Sequence, residues 1–594
     1  MNFNKRQIEA INAKDGNFAV LAKAGAGKTA VIVERTHKLI ESGAVPKKIV
    51  IITFSNEAKD NLLARLPGTD VCIKTFHGLA YGIVRKFNSD IKIWDQSWEK
   101  ERCITETFKR LGLFSDEIDF SGIYRWMSVQ RFNLLEPEDA IETSHTDYDL
   151  KILKAVYSDY IEHKAKNNLI EFDDMVYMAI KYLNENKDVL EAYQRVVEYC
   201  MVDEFQDTSK DQIELLKLLT GKHHNLMVVG DPTQNIYAFR GSDAKYLTYF
   251  DKYFEGGKFI NLNINYRSSQ EIVEFSNTIA QKDESTNTDN YEKAETPNTS
   301  CGIPIITNTN NLIPYMKDYL NKGYEYKDMF ILTRTNSELQ DFEALLSTND
   351  IPYKTYNNKS FLDNPEIKLV LSYILLGHDL YDNDSFIYLM NRPNRFLKKD
   401  TPSLIENRSL YIGLLELADK NWKYKKAASN LKYVIGGLRS KHFDNVGDMI
   451  KFVRNAVDID EFVAKTQSDT DNRKENLDKF QNTCNNFKTI EQLKMFMTKI
   501  RSNNKKDDKN RVHLLTAHKS KGMESKVVFV AGMNEESFPH KNATDIESEY
   551  RLFYVACTRA EEHLVLVANP YEKISRFITP DLNLINKLHE SVGA

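Results

Sequence analysis

The sequence predicts an α/β protein with two parallel-sheet cores, each interrupted by a mainly helical insertion. Three observations carry that reading. Short apolar, β-branched runs recur as KKIVIITFS, VEYCMVDEF, NLMVVGD, KDMFILTRT, SKVVFVAGM and HLVLVA, and runs of this kind are strands buried on both faces. Helical patterns separate many of them, which implies parallel pairing with helices layered on the sheets. The runs form two groups, one before about residue 260 and one after, while two long helix-rich stretches contain none. The expected layout is therefore a first core over 1–80 and 171–260 with a helical insertion over 81–170, then a second core over 261–370 and 501–594 with a helical insertion over 371–500. The polar segments from Gln281 and from Arg501 have the composition of exposed loops.

Composition limits the function classes. With 42% hydrophobic and 28% charged residues over 594 positions, the chain is of ordinary globular type and long enough for roughly three to five domains. No apolar run approaches the roughly 20 residues of a membrane span, and the N-terminus lacks the apolar core of a signal peptide. A cytoplasmic protein with no membrane partner is expected. The six cysteines form no C-x-x-C pair or Cys/His cluster, so zinc and disulfides are not expected. A formal charge of -5 leaves no general basic footprint; any nucleic-acid site must be a local groove.

The segment NFAVLAKAGAGKTAVIVERTHKL predicts strand, loop and helix, and Ala22 to Thr29 fits G-x-x-x-x-G-K-[ST] with alanine in first place. Such a loop needs small residues because its backbone N–H groups must close around phosphates at a helix N-terminus. Ala24, Gly25, Ala26 and Gly27 would line it, Lys28 would reach the β and γ phosphates, and Thr29 would ligate magnesium. In VEYCMVDEFQDT an apolar strand delivers Asp203 and Glu204 to its C-terminal end, where open α/β sheets bind ligands. Asp203 is placed to hold magnesium through water, and Glu204 to orient or deprotonate the attacking water. ATP and Mg2+ are the expected cofactors.

DEFQDT is also the form this motif takes in UvrD/Rep/PcrA-like superfamily one DNA helicases, and the chain resembles that family along nearly its whole length. FNKRQ, TFSNEAKDNLLARL, TFHGLA, VVGDPTQNIYAFRGSD, NYRSS, ILTRTNSE, LLTAHKSKGMESKVVFVAGM and EYRLFYVACTRAEEHL follow in the family's order. The resemblance implies two RecA-like cores. It also implies that Gln7 reads adenine, Tyr266 stacks on it, Glu524 contacts the ribose, Gln234 senses the γ-phosphate, and Arg267 and Arg559 act as arginine fingers. Phe54, Tyr237 and Phe239 match the family's base-stacking positions. Thr53, Thr75, His77, Arg334, Asn336, His518 and Lys521 match positions that grip the DNA backbone or its sugars.

Three departures bear on function. Lys23 stands where relatives usually carry glycine. NRPNRFLKKDT resembles the family's N-x-P-x-R element, but the Gly-Ile-Gly that helps relatives dock duplex does not follow. After the last motif LVLVANPYEKISRFI runs almost directly onward, where relatives have a long β-hairpin with a strand-separating aromatic tip; Tyr571 is the one obvious substitute. The basic, aromatic WKYKK (Trp422 to Lys426) is read first as a solvated helix face. The chain ends soon after the last motif, so no nuclease domain is expected. The expected activity is ATP-driven translocation on single-stranded DNA, one nucleotide per ATP, with 3′ to 5′ unwinding, in repair, replication or genome defence. Expected partners are single-stranded DNA, single/double-strand junctions and a protein such as a nuclease or repair factor. The rival expectation is an ATPase subunit that remodels DNA-bound proteins and unwinds only with help.

Overall fold

Every residue of β1 (Phe18–Ala22) and β2 (Ile49–Thr53) is buried, as parallel strands covered on both faces should be. The computed structural model describes residues 2–113, 118–286, 290–302, 305–356, 360–466, 470–503, 509–543 and 545–578. In chain order the strands continue as β3 (Cys72–Thr75), the two-residue β4 (Lys92–Ile93) and β5 (Leu169–Ile170), β6 (Tyr199–Val202), β7 (Leu226–Gly230) and β8 (Lys258–Leu262). They build an all-parallel sheet of order β3-β2-β6-β7-β1-β8, with β4 and β5 paired apart from it. Helices α1 (Lys5–Ile11), α2 (Lys28–Glu41), α3 (Asn56–Arg65) and α4 (Phe76–Phe87) alternate with the first three strands. One sheet face packs Val20, Val31, Ile32, Ile51 and Met227 into a core. The other packs Ile52, Phe76, Ile83, Val202 and Leu216.

The first insertion has a core of its own, in which Trp94, Ile104, Phe108, Trp126, Tyr157 and Tyr160 are buried between the helices Ser97–Arg110, Phe120–Phe132 and Leu150–Lys166. The sequence reading places no strand here, yet β4 and β5 pair where the chain leaves the core and returns. Two residues are too few to show any periodicity. Sequence patterning also misses β3, β8 and β11 (below) for a common reason: each is only partly buried, so none forms a continuous apolar run.

The later strands are β9 (Ile305–Thr307), β10 (Met329–Thr333), β11 (Tyr353–Thr355), β12 (Val512–Thr516), β13 (Ser525–Ala531) and β14 (Ala560–Val567). The chain divides into two compact units, Met1–Ile313 with Ser520–Ala594, and Pro314–Lys519. Within the first, β14 pairs in parallel with both β13 and β9, and the helix Gln270–Ala280 packs on the helix Ile546–Cys557. Within the second, β12 pairs in parallel with both β10 and β11. A helical core containing Ile374, Phe386, Leu431, Val453, Leu477 and Phe480 completes that unit. The fold class is as expected, with parallel sheets, alternating helices and helical insertions. Among the described residues no helix is long and apolar enough to cross a membrane. Cys103, Cys200, Cys484 and Cys557 are buried free thiols, Cys72 is partly buried, and Cys301 is exposed.

Candidate nucleotide and nucleic-acid site

The loop between β1 and α2 turns on two left-handed glycines, Gly25 at φ +69° and Gly27 at φ +78°, a conformation that costs glycine little. Gly27 caps α2 with no side-chain hydrogen bond, so the first N–H groups of this helix are available to an anion. Lys28 opens the helix and places its Nζ 3.1 Å from the Glu204 carboxylate. Glu204 follows β6 in a left-handed conformation at φ +52°, unusual for a residue with a side chain and common where function over-determines the backbone. The Gln206 amide donates to the same carboxylate oxygen at 2.6 Å.

Asp203 and Glu204 carry opposite perturbations. Burial, then the neighbouring Glu204 charge, push the Asp203 carboxyl up, against the pull of Lys28 and of hydrogen bonds from the Glu204 N–H and the Thr29 hydroxyl. Glu204 is partly buried, its side chain 23% exposed, and the ammonium groups of Lys28 and Lys521 overcome that burial and hold its carboxyl down. One carboxylate of the pair is thus kept charged beside a second whose ionisation calls for an additional cation.

Asp231, after β7, is fully buried and accepts from the Gln234 amide at 2.9 Å, the Thr233 hydroxyl at 2.6 Å and the Tyr554 hydroxyl at 3.3 Å. Gln234 is therefore held against a residue of the helix Ile546–Cys557, which runs into Arg559. The Arg559 guanidinium is buried and donates to the Val555 and Met523 carbonyls at 2.9 and 3.1 Å. Burial, then Arg267 beside it, lower it to about 9, while the Glu204 charge acts in the opposite sense. Arg267 pairs with Glu524 and donates to the Thr558 carbonyl at 3.3 Å.

The Asn265–Arg267 turn leans directly on the phosphate loop. The Tyr266 N–H donates to the Gly25 carbonyl at 3.0 Å, and a Cβ on Gly25 would fall 2.3 Å from Asn265 Oδ1. Gly25 is therefore required for that approach as well as for its backbone angle. Asn4 donates to the Tyr266 hydroxyl at 2.7 Å, while Gln7 donates to the Ala26 carbonyl at 3.1 Å and closes a capping box with Asn4. The structure thus brings together Gln7, the Ala24–Gly27 loop, Lys28, Thr29, Asp203, Glu204, Gln234, Tyr266, Arg267, Glu524 and Arg559.

Beside this pocket, Phe54 follows β2 and stacks on Tyr237 with centroids 5.0 Å apart and planes 16° from parallel. Phe239 meets Tyr237 edge-on and is 64% exposed. Arg240 lies over both rings at 5.5 and 5.6 Å. Thr53 is buried at the end of β2 with a hydroxyl that has no hydrogen-bond partner among the described residues. Thr75 spends its hydroxyl capping α4, accepting from the Gly78 N–H at 3.0 Å. His77 meets the exposed Phe172 edge-on, and burial keeps its imidazole below the usual range. Lys521 adjoins this group, its Nζ 5.2 Å from the centroid of the Tyr237 ring. Its side chain is 8% exposed and is committed to the Asp207 carboxylate and, at 2.7 Å, the Gln234 carbonyl.

In the second unit, Arg334 and Asn336 flank Thr335, which caps the helix Asn336–Thr348 just beyond β10. The Ala517 N–H donates to the Thr333 carbonyl at 2.7 Å, so His518 sits at the C-terminal end of the same strands. Arg395 of the N-x-P-x-R element is a structural hub, donating to the Leu389 carbonyl at 2.8 Å and to Asn430 at 2.9 Å. Phe396, Trp422 and, in the first unit, Tyr571 are all exposed. Among the described residues after β14, the chain makes a tight turn and returns its Phe577 ring against Phe553; there is no long hairpin. Sequence reasoning missed Asp207, Arg240, Asn265, Tyr554 and Phe172. Asp207, Arg240, Asn265 and Tyr554 lie within quoted motifs and were not separated from their neighbours, whereas Phe172 lies outside them.

Two comparisons with known proteins identify the family. The UvrD/REP helicase N-terminal domain matches residues 3–255, and the UvrD-like helicase C-terminal domain matches residues 260–571. The chain is 29% identical to the ATP-dependent DNA helicase PcrA of Staphylococcus epidermidis, over 95% of this chain and 83% of that protein. It is 28% identical to PcrA of Staphylococcus aureus over the same shares. The chain therefore belongs to the UvrD/REP helicase family.

Proposed function

We propose that this protein is an ATP-driven translocase on single-stranded DNA and a 3′ to 5′ DNA helicase. The single observation that carries the reading is the clustering of Lys28 on Glu204, of Gln234 on Asp231 beside Tyr554, and of Arg267 beside the phosphate loop and Arg559, around the carboxyl ends of β1, β6 and β7. ATP is the substrate. The glycine loop and Lys28 receive its phosphates, with Gln7 and Tyr266 beside the base and Glu524 beside the ribose. Glu204, held charged by Lys28 and Lys521, orients the attacking water and draws off its proton. Arg267 and Arg559 meet charge that develops on the transferred phosphoryl oxygens.

Mg2+ fits at Asp203 and the Thr29 hydroxyl. A hard cation takes oxygen ligands and completes its shell with phosphate and water, and a buried carboxyl whose ionisation needs another positive charge suits it; there it would neutralise phosphate charge.

For the nucleic acid, Phe54, Tyr237 and Phe239 offer stacking faces, while Thr53, Thr75, His77, Arg334, Asn336 and His518 offer backbone contacts. Lys521, held by Asp207 and the Gln234 carbonyl, links the hydrolysis site to Tyr237, whose ring lies 5.2 Å from its Nζ. ATP turnover would act on the base platform through that lysine. Cytoplasmic work on DNA junctions with a repair or nuclease partner follows the same reading.

The short turn after β14 supports a second reading, an ATPase subunit that remodels DNA-bound proteins without separating strands itself. One experiment tests both. ATP hydrolysis is measured with single-stranded DNA, RNA and duplex, beside unwinding of duplexes carrying 3′ or 5′ tails. Stimulation by single-stranded DNA with unwinding of the 3′-tailed duplex is expected. Strong hydrolysis without unwinding would favour the second reading, and turnover indifferent to polynucleotide would end both.

A further inference from the structure

Lys23 is the phosphate-loop residue that stands where relatives usually carry glycine, and the structure buries it. It is 2% exposed, and its Nζ sits 3.1 Å from the centroid of the Tyr291 ring. Burying an ammonium is costly unless opposite charge or a π face meets it. Here the ring is one such partner, and the carboxylates of Asp231, Asp283 and Glu292 are the others. Two of the three are already engaged. Asp283 pairs with Arg551 at 3.1 Å and Glu292 with Arg6 at 2.5 Å. Asp231 has no ion pair within 4 Å among the described residues, so Lys23 acts on its charge through space, and its hydrogen bonds are those that hold Thr233, the Gln234 amide and the Tyr554 hydroxyl.

We propose that Lys23 is a positioning residue: clamped on Tyr291, its ammonium balances the Asp231 carboxylate and so fixes Gln234 and Tyr554 beside the phosphates. The proposal rests on the assignment of this pocket to ATP hydrolysis and adds a residue to it. Lys23 does not touch the reacting atoms; it acts through Asp231. Through Asp231 it would tie the phosphate loop to the helix that leads into Arg559.

The charge has a working range. Burial lowers the Lys23 ammonium to about 8 against the pull of Asp231, Asp283 and Glu292. The groups facing it are those three carboxylates, the Tyr291 phenol and, through Asp231, the Tyr554 phenol, with Arg551 and Arg6 behind the second and third carboxylates. Both phenols are pushed upward by burial and by Asp231 and stay neutral in this range. As pH rises through about 8, Lys23 loses its proton, Asp231 loses its counter-charge, and turnover should fall.

The test compares kcat, KM for ATP and the pH profile of the full chain with single-stranded DNA for wild type, Lys23→Met, Lys23→Arg, Asp231→Asn and Lys23→Met/Asp231→Asn. Lys23→Met should lower kcat on the order of tenfold with KM changed less than about threefold, and should lose the alkaline fall near pH 8. Lys23→Arg should restore kcat and move that fall upward. The double variant should lose less than the product of the single losses, because Lys23 acts on Asp231. A Lys23→Met enzyme with wild-type kcat and an unchanged alkaline limb overturns the proposal, as does full multiplicativity with Asp231→Asn. If Lys23→Met does not fold, Tyr291→Leu keeps the ammonium and removes its clamp; the alkaline limb should then shift, and an unshifted limb overturns the proposal. Basal turnover carries the same readouts, so a wild type indifferent to DNA would sink the translocase reading and leave the Lys23 test intact.

Discussion

The turn from β2 into α3 and the turn from β10 into the helix Asn336–Thr348 are built alike and differ chiefly in the side chain between strand and cap. Each strand is buried along its whole length and ends in threonine, Thr53 or Thr333. Each helix is capped two residues later, by Ser55 accepting from the Ala58 N–H at 3.1 Å or by Thr335 accepting from the Glu338 N–H at 3.3 Å. Each helix begins with asparagine. Between strand and cap stands Phe54 in the first unit and Arg334 in the second. The cap and the buried strand fix the frame, which leaves the intervening position free to differ: a ring in one core, a guanidinium in the other. On the proposed function the ring would meet a base and the guanidinium a phosphate. A further difference separates the cores, since the glycine loop, Lys28, Asp203 and Glu204 all belong to the first.

That asymmetry of chemistry gives the largest expected effect. Arg559→Ala should cut DNA-stimulated turnover by roughly 10³ to 10⁵, the range an arginine finger contributes. Glu204→Gln should be nearly inactive while still retaining labelled ATP on a filter, whereas Lys28→Ala should lose both. A Glu204→Gln protein that hydrolyses ATP at the wild-type rate would remove the first core's special status. The next effect sharpens the comparison of the two turns. Phe54→Ala should weaken single-stranded DNA binding by about 1 to 3 kcal/mol, as loss of one stacked base does, with the salt dependence unchanged. Arg334→Ala should instead reduce the slope of log affinity against log salt by about 0.7, the share of one phosphate contact on a single strand. Titrations at several salt concentrations separate them, and equal slope changes in both variants would erase the distinction.

Much of this frame was legible in the sequence because it is local. The phosphate loop is readable from glycine spacing behind a buried strand, and Asp203 and Glu204 from their place at the end of β6. The family resemblance supplied Arg267 and Arg559, which the structure sets beside the loop. What was not legible depends on partners distant in the chain. Lys521 matches a backbone-gripping position, yet in the fold it meets Asp207, 314 residues away. That pairing also keeps Asp207 near the carboxylate range, since burial and the Glu204 charge carry it only to about 6 against the lysine's pull. The need for glycine at position 25 comes partly from Asn265, and nothing near Gly25 in sequence reveals it. Lys23 looks like an exposed loop lysine until Tyr291 is seen to cover it.

The smallest expected effect concerns the caps themselves and tests whether the two turns are equivalent scaffolds. Replacing an N-cap hydroxyl costs about 1 kcal/mol, because the hydroxyl satisfies one of the helix's otherwise unpaired N–H groups. Ser55 makes one such bond. Thr335 makes a reciprocal box, in which the Glu338 carboxylate returns to the Thr335 N–H at 2.9 Å. Thr335→Ala breaks the first half of that box and leaves the second in place, since a backbone N–H survives the substitution; Ser55→Ala leaves its helix start with no side-chain cap among the described residues. The loss should therefore be somewhat larger at Ser55, despite the more elaborate motif at Thr335. Hydrogen exchange at the first turn of each helix reads this directly, without the averaging that global unfolding of a two-unit protein imposes. Greater deprotection at Asn336–Glu338 in Thr335→Ala than at Asn56–Ala58 in Ser55→Ala would mean that the box acts cooperatively and that the second turn is the more tightly specified of the two.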